Sequence, residues 1–162
     1  MKAGWLGALA ALPLLASAAG SGDPLTFALD AEAGAAMHDL WRSSVAARTE
    51  QVACLASVIR GDTLRITRVR PLTSGADSMA VSAQSSLDLC GPPEWQGTVH
   101  THIAMTPGQR PYSLFSGADR GVMLMWWRRW NTDGTFCLLY AEDQAHCEID
   151  GSHVVILPSG KY

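Results

Sequence analysis

The chain has 162 residues, of which 48% are hydrophobic and 17% are charged, and its formal net charge at pH 7 is −3. This length suits one domain with a core of its own and leaves little room for a second. The slightly acidic balance lacks the basic patch that binds phosphate backbones, so nucleic acid is not an expected partner.

The N-terminal residues 1–18 have the layout of a secretory signal peptide. Lys2 supplies a positive start, residues 5–15 are mainly apolar, and residues 16–18 have the small-x-small pattern of a cleavage site. The apolar run is too short to span a bilayer. We therefore expect an exported protein, secreted or periplasmic, whose mature domain covers residues 19–162 and keeps no membrane anchor. The alternative is a buried N-terminal helix.

The first half of the mature chain reads as a strand, a helix and two further strands. Residues 25–29 alternate like a short strand, and apolar residues recur at helical spacing after Asp30. Two alternating segments follow, with a turn between them at residues 61–62. Residues 73–95 are rich in Ser, Ala, Gly and Pro, which predicts long loops.

The second half reads as a strand, a helix and two strands. The strand covers residues 95–105, and the helix covers residues 116–131 with Ser116 as its N-cap. The last two strands fall within residues 134–144 and 146–158. The order β-α-β-β-β-α-β-β predicts a single α/β domain whose mixed or antiparallel sheet is flanked by helices.

Four cysteines in the mature part predict two disulfides, because exported proteins fold in an oxidising compartment. They allow three pairings, and the sequence does not decide among them. Cys137 and Cys147 flank an expected hairpin, which favours their pairing and leaves Cys54 with Cys90. Free buried thiols are the alternative. There is no C-x-x-C spacing, so a four-cysteine zinc site is not expected.

The motif His100-Thr-His102 puts two imidazoles on one face of an expected strand, because alternate side chains point the same way. Two such rings can reach one metal ion at about 2.0–2.1 Å. A catalytic zinc site needs a third protein ligand, and Asp119 in the first turn of the next helix is the best local candidate. The alternatives are a chance histidine pair and a capping box in which Ser116 and Asp119 serve only the backbone.

Hydrolysis by a metal-activated water needs a base that takes a proton and an acid that returns it, and one carboxylate can do both. Residues 97–121 contain no glutamate. Upstream, Glu50 stands at the head of an apolar strand, where a charged residue is conspicuous. The alternative is an exposed residue at a helix–strand junction.

Taken in order, the glutamate, His-x-His and Ser-x-x-Asp resemble the signature of the JAMM (MPN+/Mov34/PAD-1) metalloprotease family. The segment "GTVHTH" is similar to the family's histidine-bearing strand, and residues 49–72 resemble its strand–turn–strand segment. The resemblance covers residues 25–158. It implies an MPN/JAMM-like, cytidine-deaminase-like α/β domain in which helices flank a mixed β-sheet.

Residue by residue, the resemblance implies that His100, His102 and Asp119 bind Zn²⁺. Glu50 matches the family's general acid/base, and Ser116 matches the serine that donates a hydrogen bond to the oxyanion of the tetrahedral intermediate. The implied reaction is hydrolysis of a peptide or isopeptide bond in a peptide or protein substrate.

The chain departs from the family pattern between the second histidine and the serine. Residues 103–115 make this connection longer than in the family, and Ile103 stands where the family often has proline. We expect the longer loop to reshape the rim of a substrate groove. It also leaves open a catalytically inactive, exported MPN-like binding module, which a tryptophan-rich helix favours too. A third reading is a disulfide-bonded structural domain without a ligand site.

Overall fold

The computed structural model describes residues 22–72, 85–104 and 106–162. The predicted signal peptide, residues 1–18, lies outside the described residues, as does a large part of the predicted loop region. Among the described residues, no helix is long and apolar enough to cross a bilayer.

One mixed sheet organises the described part of the chain, in the strand order β1-β3-β2-β4-β5-β6-β7. The β1–β3 and β4–β5 pairs are parallel, and the remaining neighbours are antiparallel. The elements are β1 (Thr26–Leu29), α1 (Ala31–Ala47), β2 (Val52–Arg60), β3 (Thr63–Pro71), β4 (Gly97–Thr101), α2 (Gly117–Trp130), β5 (Gly134–Ala141), β6 (Gln144–Asp150) and β7 (Val155–Ile156). The predicted mixed sheet with flanking helices is therefore confirmed.

Two sequence predictions differ in detail. The last predicted strand, residues 146–158, is divided into β6 and β7 by a bend at residues 151–153. Within the predicted loop region, residues 85–89 are helical. Buried Leu87 explains this helical segment. It packs into the core, and the free energy of its burial compensates for the weak helical pattern of the local sequence.

The two helices cover opposite faces of the sheet. On one face, α1 buries Met37 and Leu40 against β2 residues such as Leu55. On the other, α2 buries Met123 and Trp126 in a second apolar cluster. Because alternate strand residues face opposite sides, each strand can supply both clusters. Burying one such side chain fully contributes about 1.5–3 kcal/mol.

β4 lies in the middle of the sheet, and its alternation decides which face the histidines reach. Thr101 faces α1, where its hydroxyl oxygen lies 2.6 Å from that of Ser44. His100 therefore faces the α2 side. In the sheet it is paired with Val52 of β2 and Leu138 of β5. The candidate site thus lies on the α2 face, at the end of a central strand.

Two disulfides link Cys54 to Cys90 and Cys137 to Cys147, which confirms the favoured pairing. Cys137 and Cys147 lie opposite each other on β5 and β6. Cys54 connects β2 to the segment that follows the helical residues 85–89. Two disulfides of this kind suggest that the protein folds in an oxidising, extracellular environment.

We expect removal of the first disulfide to destabilise the fold more than removal of the second. The Cys54–Cys90 bond closes a loop of sequence separation 36 and the Cys137–Cys147 bond one of 10. In the chain-entropy picture, the two bonds contribute about 4 and about 3 kcal/mol of unfolding free energy. Guanidinium unfolding of the two double cysteine-to-alanine variants checks this. The opposite order of stability would show that loop entropy does not decide the difference between the two bonds.

Candidate metal centre

Three side chains converge on the α2 face at the end of β4. The Nε2 atoms of His100 and His102 are 3.2 Å apart. Asp119 approaches both rings, with Oδ1 3.3 Å from Nε2 of His100 and Oδ2 3.4 Å from Nε2 of His102. The predicted set of ligands is therefore one cluster, and it could hold a metal ion.

The spacing of these atoms fits a tetrahedral ion. Two atoms that each lie about 2.0–2.1 Å from a tetrahedral zinc are about 3.3 Å from each other. The two Nε2 atoms are 3.2 Å apart, which suits this geometry, and each lies 3.3–3.4 Å from a different oxygen of the Asp119 carboxylate. Two imidazoles and a carboxylate also form a three-ligand set that leaves a fourth position open. Such a donor set suits Zn²⁺ and can accept other divalent first-row ions.

Strand geometry brings the two rings together, although β4 ends at Thr101, one residue before His102. The backbone N–H of His102 still donates to the carbonyl of Leu139, at 2.8 Å. The pleat therefore continues through His102, and its ring stays on the same face as that of His100.

Asp119 serves both as a cap and as a candidate ligand. It belongs to a capping box: the N–H of Ser116 donates to Asp119 Oδ2 at 2.6 Å, and the N–H of Asp119 donates to the Ser116 hydroxyl at 3.3 Å. The capping interpretation and the ligand interpretation are thus compatible. The cap fixes the carboxylate in the first helical turn, which is the position from which it reaches both histidines.

Electrostatics keep Asp119 ionised. Burial by itself would raise the pKa of this carboxyl, but hydrogen bonds from His100 and His102 outweigh burial and hold the pKa well below its ordinary value. The side chain is only 12% exposed. A charged and mostly buried carboxylate needs a positive partner, which a protonated histidine or a cation can supply.

The second nitrogen of His102 has a partner that the sequence could not indicate. Its Nδ1–H donates to the backbone carbonyl of Tyr112, at 3.1 Å. When the ring is neutral, this bond leaves the lone pair on Nε2, the atom that would bind a metal ion. Burial lowers the pKa of His102, but hydrogen bonds to Asp119 and Tyr112 outweigh it and raise the pKa overall.

The strand register brings Glu50 to the same site. Val52 is paired with His100, and the N–H of Thr101 donates to the carbonyl of Gln51 at 3.0 Å. One residue further along, the same register places the half-buried Glu50 opposite His102. Burial raises the pKa of Glu50 above its ordinary value, and the positive charges of the histidines offset this only in part. Glu50 therefore shares one electrostatic environment with the three clustered side chains.

The other three histidines lie apart from the cluster. His38 packs against the ring of Tyr162, and His153 pairs with Asp23 at the surface. His146 is buried and bonds to Glu148. In residues 22–72, 85–104 and 106–162, no other group of three histidine, cysteine, aspartate or glutamate side chains is close enough to share an ion.

Comparisons with known proteins leave the family open. No protein-family model matches the chain, and no curated protein shows significant similarity to it. Among solved structures, a similar one is the solution structure of protein DSY2949 from Desulfitobacterium hafniense. It is 15% identical, with 82% of this chain and 93% of that chain covered and a TM-score of 0.43. A likeness this slight does not bear on function.

Proposed function

We propose that the protein is an exported metallopeptidase of the JAMM type, which hydrolyses a peptide or isopeptide bond with a metal-activated water. The observation that carries the proposal is the convergence of two Nε2 atoms, 3.2 Å apart, on one carboxylate, whose Oδ1 lies 3.3 Å from His100 and whose Oδ2 lies 3.4 Å from His102. The nearby Glu50 adds an acid/base group, and the two disulfides suit an exported protein.

His100, His102 and Asp119 would hold the ion, with Zn²⁺ as the proposed metal. A zinc ion in such a site acts as a Lewis acid that lowers the pKa of water toward about 7. Glu50 would take the proton from the water and return it to the leaving amine. Its raised pKa supports this double role, because an acid/base group works best when its pKa lies close to the operating pH.

Ser116 is proposed to donate a hydrogen bond to the developing oxyanion. In the capping box its hydroxyl oxygen accepts the N–H of Asp119. Accepting this bond leaves the hydroxyl hydrogen free for a second partner, because a serine hydroxyl has one donor and two acceptor positions. One side chain can thus cap α2 and still donate toward a substrate oxygen.

We expect a chelator to abolish peptide hydrolysis and added Zn²⁺ to restore it. The measurement is turnover of a mixed fluorogenic peptide library by the purified protein, before and after dialysis against a chelator. The double variant His100→Ala/His102→Ala should show no zinc-restored activity. Hydrolysis that survives complete removal of metal would contradict the proposal. A wild-type protein that binds zinc but cleaves no peptide would favour the inactive binding module.

A further inference from the structure

A charged network, buried at Glu148 and His146 and partly exposed at Arg120, lies next to the candidate metal centre. The guanidinium of Arg120 forms a two-pronged ion pair with the carboxylate of Glu148 on β6; Nη2 lies 2.8 Å from Oε1, and Nη1 contacts Oε2. Glu148 Oε1 also lies 2.7 Å from Nε2 of His146. The network ends at Ser159, whose hydroxyl lies 3.2 Å from Nδ1 of His146. Arg120 Nη1 also lies 3.4 Å from Oδ2 of Asp150. Five side chains thus join the start of α2 to the sheet.

The network is made of groups that are costly to bury. Glu148 is 1% exposed and His146 is 3% exposed. Burial by itself would raise the pKa of Glu148, but hydrogen bonds from Arg120 and His146 outweigh it and lower the pKa. Arg120 is 39% exposed and keeps part of its hydration, whereas the carboxylate that it contacts is buried. The two-pronged pair therefore fixes the Arg120 side chain on one point of the sheet.

Two features connect the network to the candidate ligands: the position of Arg120 next to Asp119 in the chain, and the packing of Phe115. Arg120 directly follows Asp119, so its fork on Glu148 fixes the helical turn that carries the ligand carboxylate. Phe115 lies between the two groups. Its ring centre is 5.6 Å from that of His100 and 5.6 Å from that of His146, and the guanidinium of Arg120 lies 5.4 Å from it.

We propose that Arg120, together with Glu148, is a positioning residue that sets the ligand carboxylate and the His100 ring for metal binding. The inference rests on the metal centre in the proposed function and does not require that the protein be a peptidase. The helix itself has other anchors further along, since Met123 and Trp126 pack in the core. The ion pair acts on the first turn, where a small rotation would move Asp119 away from the histidines.

The test compares Arg120→Lys with Arg129→Lys. Lysine keeps the charge at 120 but cannot form the two-pronged bond. Arg129 lies in the last turn of the same helix and pairs with Asp88 at the surface, at 2.8 Å, so its replacement controls for loss of an arginine from α2. Each protein is assayed for Zn²⁺ affinity by competition with a chelating dye, for the visible spectrum of bound Co²⁺, and for thermal midpoint without metal.

For Arg120→Lys we expect Zn²⁺ affinity to fall about 10-fold, the lower end of the cost of losing a side chain bonded directly to a metal ligand, because Arg120 acts through the helical turn. The Co²⁺ spectrum should also change, because it reports ligand geometry. Arg129→Lys should match the wild type in both. If Arg120→Lys does not fold, Arg120→Met/Glu148→Met replaces the ion pair with apolar side chains and is expected to show the same loss.

Two results would overturn the inference, and they are distinguishable. If the wild type binds Zn²⁺ and a folded Arg120 variant binds it equally well with the same Co²⁺ spectrum, the positioning role is wrong while the metal centre stands. If the wild type binds neither ion, the centre and the positioning role fall together. A wild type that binds zinc without cleaving peptides overturns only the peptidase proposal.

Discussion

Glu50→Gln is expected to lower peptide hydrolysis by about 10²–10⁴-fold, the usual contribution of a general acid/base group. Glutamine matches glutamate in size but cannot accept the proton from the water. Because Glu50 lies outside the group of three candidate ligands, zinc content should stay at the wild-type level. The loss should appear in kcat with little change in KM, since a proton transfer contributes only in the transition state. Steady-state kinetics combined with metal analysis checks both parts.

Glu32→Gln provides a matched control, because Glu32 is an exposed glutamate in the first turn of α1, at the opposite end of that helix from Glu50. Its kinetics should equal those of the wild type. If Glu50→Gln keeps full turnover, this residue has no part in the proton transfer. If it loses zinc as well as activity, Glu50 supports the ligands instead of the reaction.

Asp119→Asn is expected to lower Zn²⁺ affinity by more than about 100-fold, since loss of even an outer partner costs about 10–100-fold. The amide oxygen can still accept the N–H of Ser116, so the capping box can persist while the anionic ligand is lost. The metal-free protein should still be less stable than the wild type at neutral pH, because His100 and His102 lose the ionised partner whose lowered pKa marks a favourable interaction. Loss of the first-turn charge at the helix start adds about 0.3–1 kcal/mol.

Ser116→Ala makes the reciprocal change. It removes the hydroxyl that accepts the Asp119 N–H and should cost about 1 kcal/mol of stability. The carboxylate stays in place, so zinc should still bind. Titration calorimetry and thermal unfolding of both variants separate the two functions of the motif. Equal zinc affinity in Asp119→Asn and the wild type would remove Asp119 from the ligand set.

The parts of the site that follow from the sequence depend on short-range geometry. Alternation along a strand is a local property, so the amino-acid order alone assigns His100 and His102 to one face. A capping residue is likewise local, and Ser116 begins α2 as predicted. The cysteine pairing could be favoured because Cys137 and Cys147 flank a hairpin, in which residues on the two neighbouring strands lie opposite each other.

The remaining parts depend on contacts between distant segments. Any backbone carbonyl could have accepted the Nδ1–H of His102, and no side-chain pattern marks Tyr112. Glu148 lies two residues after His146 on β6, and the sequence pattern fits a solvent-exposed strand residue equally well. Only the packing of α2 on the sheet turns it into the buried partner of Arg120.

The double service of Asp119 also bears on how such a protein changes over evolutionary time. If a lineage lost its ion, selection for a well-formed helix start would still preserve the serine and the aspartate. The two histidines would no longer be needed to hold a cation, so substitutions at their positions would be tolerated. A retained Ser-x-x-Asp motif in a distant homologue would therefore indicate only that the helix start is retained. A retained histidine pair would indicate that the metal site is retained.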